Sequence, residues 1–167
     1  MELKEIQKLN IDKALKILSN EIGGEWILLG GALALFEFSS QRATHDIDIV
    51  PKVPNPMERS KLFDVAEKLH LPIEAINSAA DFFLKKFLGW EDHLVLIIQG
   101  PKGTIYRPDL TLYFALKLSR GTEADIQDCN QALLTLSKHE LQRDVLTQWL
   151  KGKKIPLRAK NFLRKNV

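Results

Sequence analysis

The chain has 167 residues, of which 45% are hydrophobic and 27% are charged, and its formal net charge is +3. This length and composition are typical of one globular domain, and they exclude a fibrous, disordered or disulfide-dependent chain. The mild positive charge is compatible with a phosphate-bearing partner. It falls short of the concentrated basic surface of a dedicated nucleic-acid binder.

The cysteine content and the lengths of the apolar runs indicate the cellular compartment of the protein. Cys129 is the single cysteine, so an internal disulfide is excluded and a reducing compartment is favoured. The longest apolar runs, at residues 26–29 and 94–98, are too short to span a bilayer, and no signal segment is evident at the start. We therefore expect a cytoplasmic protein without a membrane partner.

The first elements follow the order helix, strand, glycine turn, helix. Apolar residues at helical spacing from Leu3 to Leu18 predict a helix that the glycines at 23 and 24 end. The apolar run 25–29 predicts a buried strand, and residues 32–38 predict a helix that begins at or just after Gly31.

The next segment alternates between acidic and apolar residues. Residues 46–50 read Asp-Ile-Asp-Ile-Val, and this period of two predicts a strand with Asp46 and Asp48 on one face and the isoleucines on the other. A loop follows, and residues 58–69 predict a helix. The loop is marked by Pro51, Pro54 and Pro56.

The remaining residues predict a hairpin and a helical C-terminal part. Residues 71–89 are mixed and predict irregular or helical cover over the sheet. We predict a hairpin of strands 93–99 and 103–107, then helices 110–120, 125–137 and 140–150, and a basic tail at 151–165. Such a tail is usually a solvated face, although it would favour RNA if it lay beside the site.

This order predicts an α+β fold, with α/β as the alternative, in which helices flank a mixed sheet. We predict one domain over residues 1–167, with a core at about 22–120 and a helical part at about 121–167.

Two local features carry chemistry. Carboxylates at alternate strand positions point the same way and repel each other unless a cation or protons lie between them. Magnesium binds through one or two carboxylates and substrate phosphates, so Asp46 and Asp48 are candidate ligands. Gly30 and Gly31 allow a close backbone approach to a phosphate, and a helix that begins there directs its amides at the same anion.

Together these features resemble the polymerase-beta type nucleotidyltransferases. The resemblance is carried by Gly30 and Gly31, a short helix, and the stretch 42–49, Arg-Ala-Thr-His-Asp-Ile-Asp-Ile. The Arg-x-Thr-x-Asp-hydrophobic-Asp pattern is most similar to small bacterial nucleotidyltransferase-like proteins related to abortive-infection type toxins. The resemblance implies that Arg42 and Thr44 help to bind a nucleotide, although Arg42 could instead neutralise the two aspartates.

A second block, at residues 116–128, is similar to the helix that follows the sheet in those proteins. By this resemblance, Lys117 contacts phosphate, and Asp125 and Asp128 support or complete the site. Two structural alternatives stand beside these roles. The stem of Lys117 could cover the core, and the aspartates could offset the dipole of a helix.

The chain departs from the family in its acidic residues. Active members generally carry a third carboxylate on a later strand, and neither predicted strand of the hairpin contains one. Nearby candidates are Glu74, Asp92 and Asp109, of which Asp109 is better explained as a helix cap.

The resemblance implies a magnesium-dependent enzyme, with manganese as a possible substitute. Such an enzyme would move a nucleotidyl group from a nucleoside triphosphate to a hydroxyl of RNA, protein or a small molecule, and it could be the toxin of a toxin–antitoxin pair. The missing third carboxylate favours the alternative, a catalytically degenerate protein of the same fold that binds an antitoxin or regulatory protein.

Overall fold

The computed structural model describes residues 5–167, which form a mixed five-stranded sheet flanked by eight α-helices. Leu3, where we began the predicted first helix, lies outside the described residues. The strands are β1 (Gly24–Leu28), β2 (Ile47–Pro51), β3 (Ile76–Asn77), β4 (Leu94–Gln99) and β5 (Gly103–Pro108). The helices are α1 (Lys8–Ile17), α2 (Gly30–Glu37), α3 (Glu58–Lys68), α4 (Asp81–Leu84), α5 (Leu110–Arg120), α6 (Glu123–Thr135), α7 (Arg143–Leu150) and α8 (Leu157–Asn166).

The sheet has the order β3-β2-β1-β5-β4. Strand β1 pairs antiparallel with β2 and parallel with β5, while β2 and β3 run parallel and β4 and β5 form the predicted antiparallel hairpin. This mixture of directions confirms the α+β prediction. It also places β1, which leads into the glycine turn, beside β2, which contains Asp48 and follows Asp46.

Burial in β2 follows the alternation of acidic and apolar residues in the sequence. The side chains of Ile47 and Ile49 are fully buried, whereas Asp48 is half-buried. Asp46 lies one residue before β2 and is exposed. The predicted alternation of faces is therefore present, with the apolar side chains directed into the core.

Two elements were not predicted. Strand β3 has only two residues, and it pairs with β2 through Ile47 and Ile76. The basic tail contains α8, in which Ala159 and Phe162 are buried. The lysines and arginines of the tail are exposed, which confirms the interpretation of these basic residues as a solvated face. Phe162 packs edge-on against Phe114 of α5, with the ring centroids 5.2 Å apart.

The helix predicted at 140–150 begins later than expected. Residues Lys138–Glu140 form a 3-10 turn, and α7 begins only at Arg143. Glu140 accepts two hydrogen bonds from the guanidinium of Arg107, at 2.9 and 2.8 Å. This bidentate pair attaches the turn between α6 and α7 to the end of β5.

Within residues 5–167, no helix is both long enough and apolar enough to cross a membrane.

Candidate active site

A pocket of about 720 Å³ opens where β1, β2, α2 and α5 meet. All of the predicted catalytic, metal-binding and nucleotide-binding residues line this pocket. They are Gly30, Gly31, Arg42, Thr44, Asp46, Asp48 and Lys117. Asp125 and Asp128, predicted as supporting residues, do not line it but contact residues that do. The sheet and two helices thus bring together residues that are far apart in the sequence.

The turn between β1 and α2 requires glycine at position 30. Gly30 has a φ of +64°, a left-handed conformation that favours glycine. A Cβ at this position would also overlap the Oδ2 atom of Asp48. The amide of Leu29 donates to the carbonyl of Asp48 at 2.9 Å, so the backbone holds the turn and the acidic strand together.

We expect Gly30→Ala to destabilise the fold by roughly 1–3 kcal/mol, because alanine would have to adopt a positive φ and displace the Asp48 carboxylate. Denaturant unfolding measures the loss. In an Asp48→Ala background the same substitution should lose less stability, since the overlap is gone and only the φ penalty remains. An equal loss in both backgrounds would contradict the proposed overlap.

The Asp48 carboxylate is held in an unfavourable electrostatic position. Burial raises its pKa from 3.8 to about 6, and repulsion from Asp46 adds to the shift, while Lys117 and Arg120 lower it. Among the described residues, no hydrogen-bond donor contacts this carboxylate. A half-buried carboxylate without a donor, beside a second carboxylate, is a group that a cation would stabilise.

The donor set at this position fits magnesium. Asp46 and Asp48 supply hard oxygen ligands, and magnesium completes such a site with water and substrate phosphates rather than with protein groups alone. Across residues 5–167, no group of three or more His, Cys, Asp or Glu side chains has the geometry of a metal site. Two carboxylates would leave the remaining positions of an octahedral ion to water or to a bound phosphate.

Lys117 is fixed from behind by a buried ion pair. Its Nζ donates to Oδ2 of Asp128 at 2.7 Å, and the side chains of the two residues are 6% and 2% exposed. Arg42 donates to the same oxygen at 2.7 Å, through its Nη2 atom. Of the two roles considered for Arg42, neutralising the aspartate pair at 46 and 48 is wrong, since its described partner is Asp128.

Asp125 caps a helix and binds Arg120, whereas Asp128 binds Lys117 and Arg42. It forms a capping box with Thr122 at the start of α6, and Arg120 donates to both of its carboxylate oxygens, at 2.8 and 2.5 Å. Burial alone would raise the pKa of Asp125, but the hydrogen bonds from Arg120 and Thr122 outweigh it and lower the pKa. Asp125 thus holds Arg120, another pocket residue, in place at the end of α5.

None of the three candidates for a third carboxylate lines the pocket. Asp109 accepts from the amide of Leu112 at 2.8 Å, which confirms the predicted helix cap, and it contacts Nδ1 of His93 at 2.7 Å. Glu74 and Asp92 are exposed in 3-10 turns. In the part of the chain that the structure describes, Asp46 and Asp48 are therefore the two carboxylates of this pocket.

A second group of pocket residues was not predicted as part of the site. It comprises Ala80, Phe83, Lys86 and Phe87 from one segment, and Lys153 and Lys154 from the turn after α7. Trp149 of α7 joins the two segments, because its indole donates to the carbonyl of Leu88 at 3.0 Å and its ring lies 5.3 Å from that of Phe87. The one sequence feature that pointed to this second group was the basic composition of residues 151–165, which contain Lys153 and Lys154.

The mixed sheet, the glycine-initiated helix and the paired aspartates define a protein with a nucleotidyltransferase-like fold. Residues 7–154 match the family described as "nucleotidyltransferase of unknown function (DUF6036)", and the chain belongs to this family. No curated protein and no solved structure matches the chain. The family match supports the nucleotidyltransferase resemblance but not the narrower resemblance to the toxin-related subgroup.

Proposed function

We propose that the protein is a magnesium-dependent enzyme that transfers a nucleotidyl group from a nucleoside triphosphate to a hydroxyl group. One observation carries this proposal. A single pocket brings together the paired carboxylates of Asp46 and Asp48, the glycine start of α2 and the ammonium group of Lys117. Carboxylates for a divalent ion, backbone amides and a lysine are the groups that hold a triphosphate during in-line displacement.

Each group has a role that follows from its position. The first amides of α2 lack intrahelical partners and carry the positive end of the helix dipole, so they would bind phosphate oxygens beside Gly30 and Gly31. Lys117 would offset charge on the triphosphate, and Arg42 and Thr44, whose side chains lie next to Gly31, would hold the nucleotide beside the glycine turn. Both cations are held by Asp128, which limits the entropy lost when they bind an anion.

Asp46 and Asp48 would hold the magnesium ion, or manganese in its place, and the ion would supply neutralisation of charge on the phosphates. In the transfer itself, the acceptor oxygen forms a bond to the α-phosphorus, and the bond from that phosphorus to pyrophosphate breaks. The hydroxyl proton passes to solvent. The acceptor hydroxyl belongs to RNA, protein or a small molecule.

The test is a thermal shift and calorimetric titration with the four nucleoside triphosphates, with and without magnesium. We expect magnesium and a preferred triphosphate at about 100 times its Kd to raise the free energy of unfolding by about 2.7 kcal/mol. Asp46→Ala combined with Asp48→Ala should abolish this rise. Unchanged melting of the natural protein at millimolar ligand would reject the proposal.

A matched control separates this effect from general charge loss. Asp12 and Asp64 are acidic residues outside the pocket, on α1 and α3, so replacing both with alanine changes the net charge by the same amount. This control variant should keep the ligand-dependent rise in full.

A second function is favoured by the carboxylate count in the pocket. Because the pocket has two carboxylates in the described residues where active relatives generally carry three, the same fold could bind a protein partner without turnover. Purification with a stable partner, together with no transfer from any labelled triphosphate, would establish this alternative. Detected turnover would eliminate it.

The resemblance of residues 42–48 to toxin-related proteins extends the proposal to a toxin–antitoxin pair. In that case, expression alone should arrest growth, and the Asp46→Ala/Asp48→Ala variant should not. Growth arrest by both forms would separate toxicity from the proposed transfer reaction.

A further inference from the structure

The pocket contains positive charge that the proposed triphosphate site does not use. Three of its cations, Arg42, Lys117 and Arg120, are already paired with Asp125 or Asp128. The other three are Lys86, Lys153 and Lys154, and within residues 5–167 none of these forms an ion pair. An anion bound at these lysines would therefore not have to displace a carboxylate.

Aromatic rings accompany these lysines. Phe83 lines the pocket and is 57% exposed, and the Nζ atom of Lys86 lies 5.2 Å from its ring centroid and 4.0 Å from that of Phe82. The Nζ atom of Lys153 lies 5.1 Å from the ring centroid of Phe87. Cationic groups thus lie next to aromatic rings in this part of the pocket, where the ring of Phe83 is exposed and that of Phe87 is buried. We call this part the lysine wall, defined by Phe83, Lys86, Lys153 and Lys154.

This combination matches one class of ligand in particular. Proteins that hold single-stranded nucleic acid combine cations that follow the phosphates with aromatic faces on which bases stack. An acidic peptide would use the lysines but would leave the exposed face of Phe83 without a partner. The lysine wall lines the same pocket as Asp46 and Asp48, where an acceptor hydroxyl must arrive.

We propose that the lysine wall binds the acceptor, and that the acceptor is the end of a single-stranded nucleic acid. The terminal base stacks on Phe83, and the phosphates lie along Lys86, Lys153 and Lys154. This proposal rests on the proposed function for its catalytic meaning, but binding at the wall is independent of the triphosphate site and is measured separately.

The experiment is fluorescence anisotropy with labelled single strands of about 12 nucleotides, RNA and DNA of one sequence, at several salt concentrations. We expect Lys86→Ala/Lys153→Ala/Lys154→Ala to weaken binding roughly tenfold or more. The slope of log affinity against log salt concentration, called the salt slope below, should become shallower by about 2, since each lost phosphate contact contributes about 0.7. Phe83→Ala should weaken binding roughly 5- to 100-fold with little change in the salt slope.

A matched control is Lys13→Ala/Lys160→Ala/Lys165→Ala, which removes the same charge from exposed lysines outside the pocket. This control should bind the strand as the natural protein does. Equal affinity in the wall variant and the control would overturn the proposal, as would no binding by the natural protein. Competition by polyglutamate as strong as that by the unlabelled strand would also overturn it and indicate an acidic protein acceptor.

Parallel titration with magnesium and triphosphate separates the two proposals. The wall variant should keep triphosphate binding, and Asp46→Ala/Asp48→Ala should keep strand binding. If strand binding depends on the wall while no triphosphate binds, the proposed function fails and the nucleic-acid site stands. Whether RNA or DNA binds more tightly then identifies the acceptor within the class.

Discussion

Replacement of Asp48 by asparagine is expected to stabilise the ligand-free protein and to abolish its response to magnesium and triphosphate. The pKa of this carboxyl is raised to about 6 by burial and by Asp46, so the ionised group opposes folding at neutral pH. A shift of this size corresponds to about 1–3 kcal/mol, which asparagine would recover. For a chain of this length, the melting temperature should rise by roughly 2–12 °C.

The same substitution should change how stability depends on pH. Between about pH 4 and 6 the folded protein holds a proton on Asp48 that the unfolded chain has already lost, given pKa values of about 6 and 3.8. The contribution of Asp48 to the free energy of unfolding therefore falls as the pH rises through this range, and it stays low above it. Asp48→Asn should remove that fall.

Denaturant unfolding at pH 4.5 and pH 7 without magnesium measures both effects. Asp64→Asn is the control, because Asp64 is exposed on α3 and lies outside the pocket. A loss of stability in Asp48→Asn at pH 7 would contradict the proposed repulsion. Stability that is gained at the expense of ligand binding is the behaviour expected of a functional site.

The fold was predictable where signals are local. The hairpin followed from two apolar strands joined by a turn with two glycines and a proline. Helix α5 was predicted to the residue from its apolar periodicity, and the structure shows that Asp109 caps it and Gly121 ends it. Strand β3 was missed because two residues carry no periodicity, and its pairing with β2 depends on the sheet already being formed. Helix α8 was missed because its buried face is small within a run of lysines and arginines.

Some features of the site were likewise predictable from local sequence, and others depend on tertiary packing. That Asp46 and Asp48 line the same pocket was predicted from alternation, a local property of strands, and it holds although Asp46 lies one residue before β2. That Arg42 and Lys117 share one oxygen of Asp128 depends on α6 packing behind the site, and no spacing in the sequence indicates it. The lysine wall likewise depends on Trp149 packing against Phe87, a contact between distant segments.

Removal of the Asp128 carboxylate is expected to give the largest loss of stability among single substitutions at the site. Asp128→Ala would leave the ammonium of Lys117, which is 6% exposed, with only the more distant carboxylate of Asp125 at 3.7 Å. Loss of one member of a buried ion pair typically costs about 3–5 kcal/mol, or roughly 6–20 °C in melting temperature at this chain length. Asp12→Ala, which breaks an exposed pair with Lys16, should cost less than about 1 kcal/mol.

A paired substitution distinguishes an electrostatic role from a packing role. Lys117→Met combined with Asp128→Leu removes both charges and fills their volume, so it should regain part of the stability that Asp128→Ala loses. The same double variant should still fail to bind triphosphate with magnesium, because the cation of Lys117 is absent from the pocket. Unfolding curves of Asp128→Ala, Asp12→Ala and the double variant measure stability, and calorimetric titration of the same variants measures triphosphate binding. If the double variant binds triphosphate normally, Lys117 serves the core and not the ligand, and the buried pair with Asp128 is then a structural feature of α5 and α6.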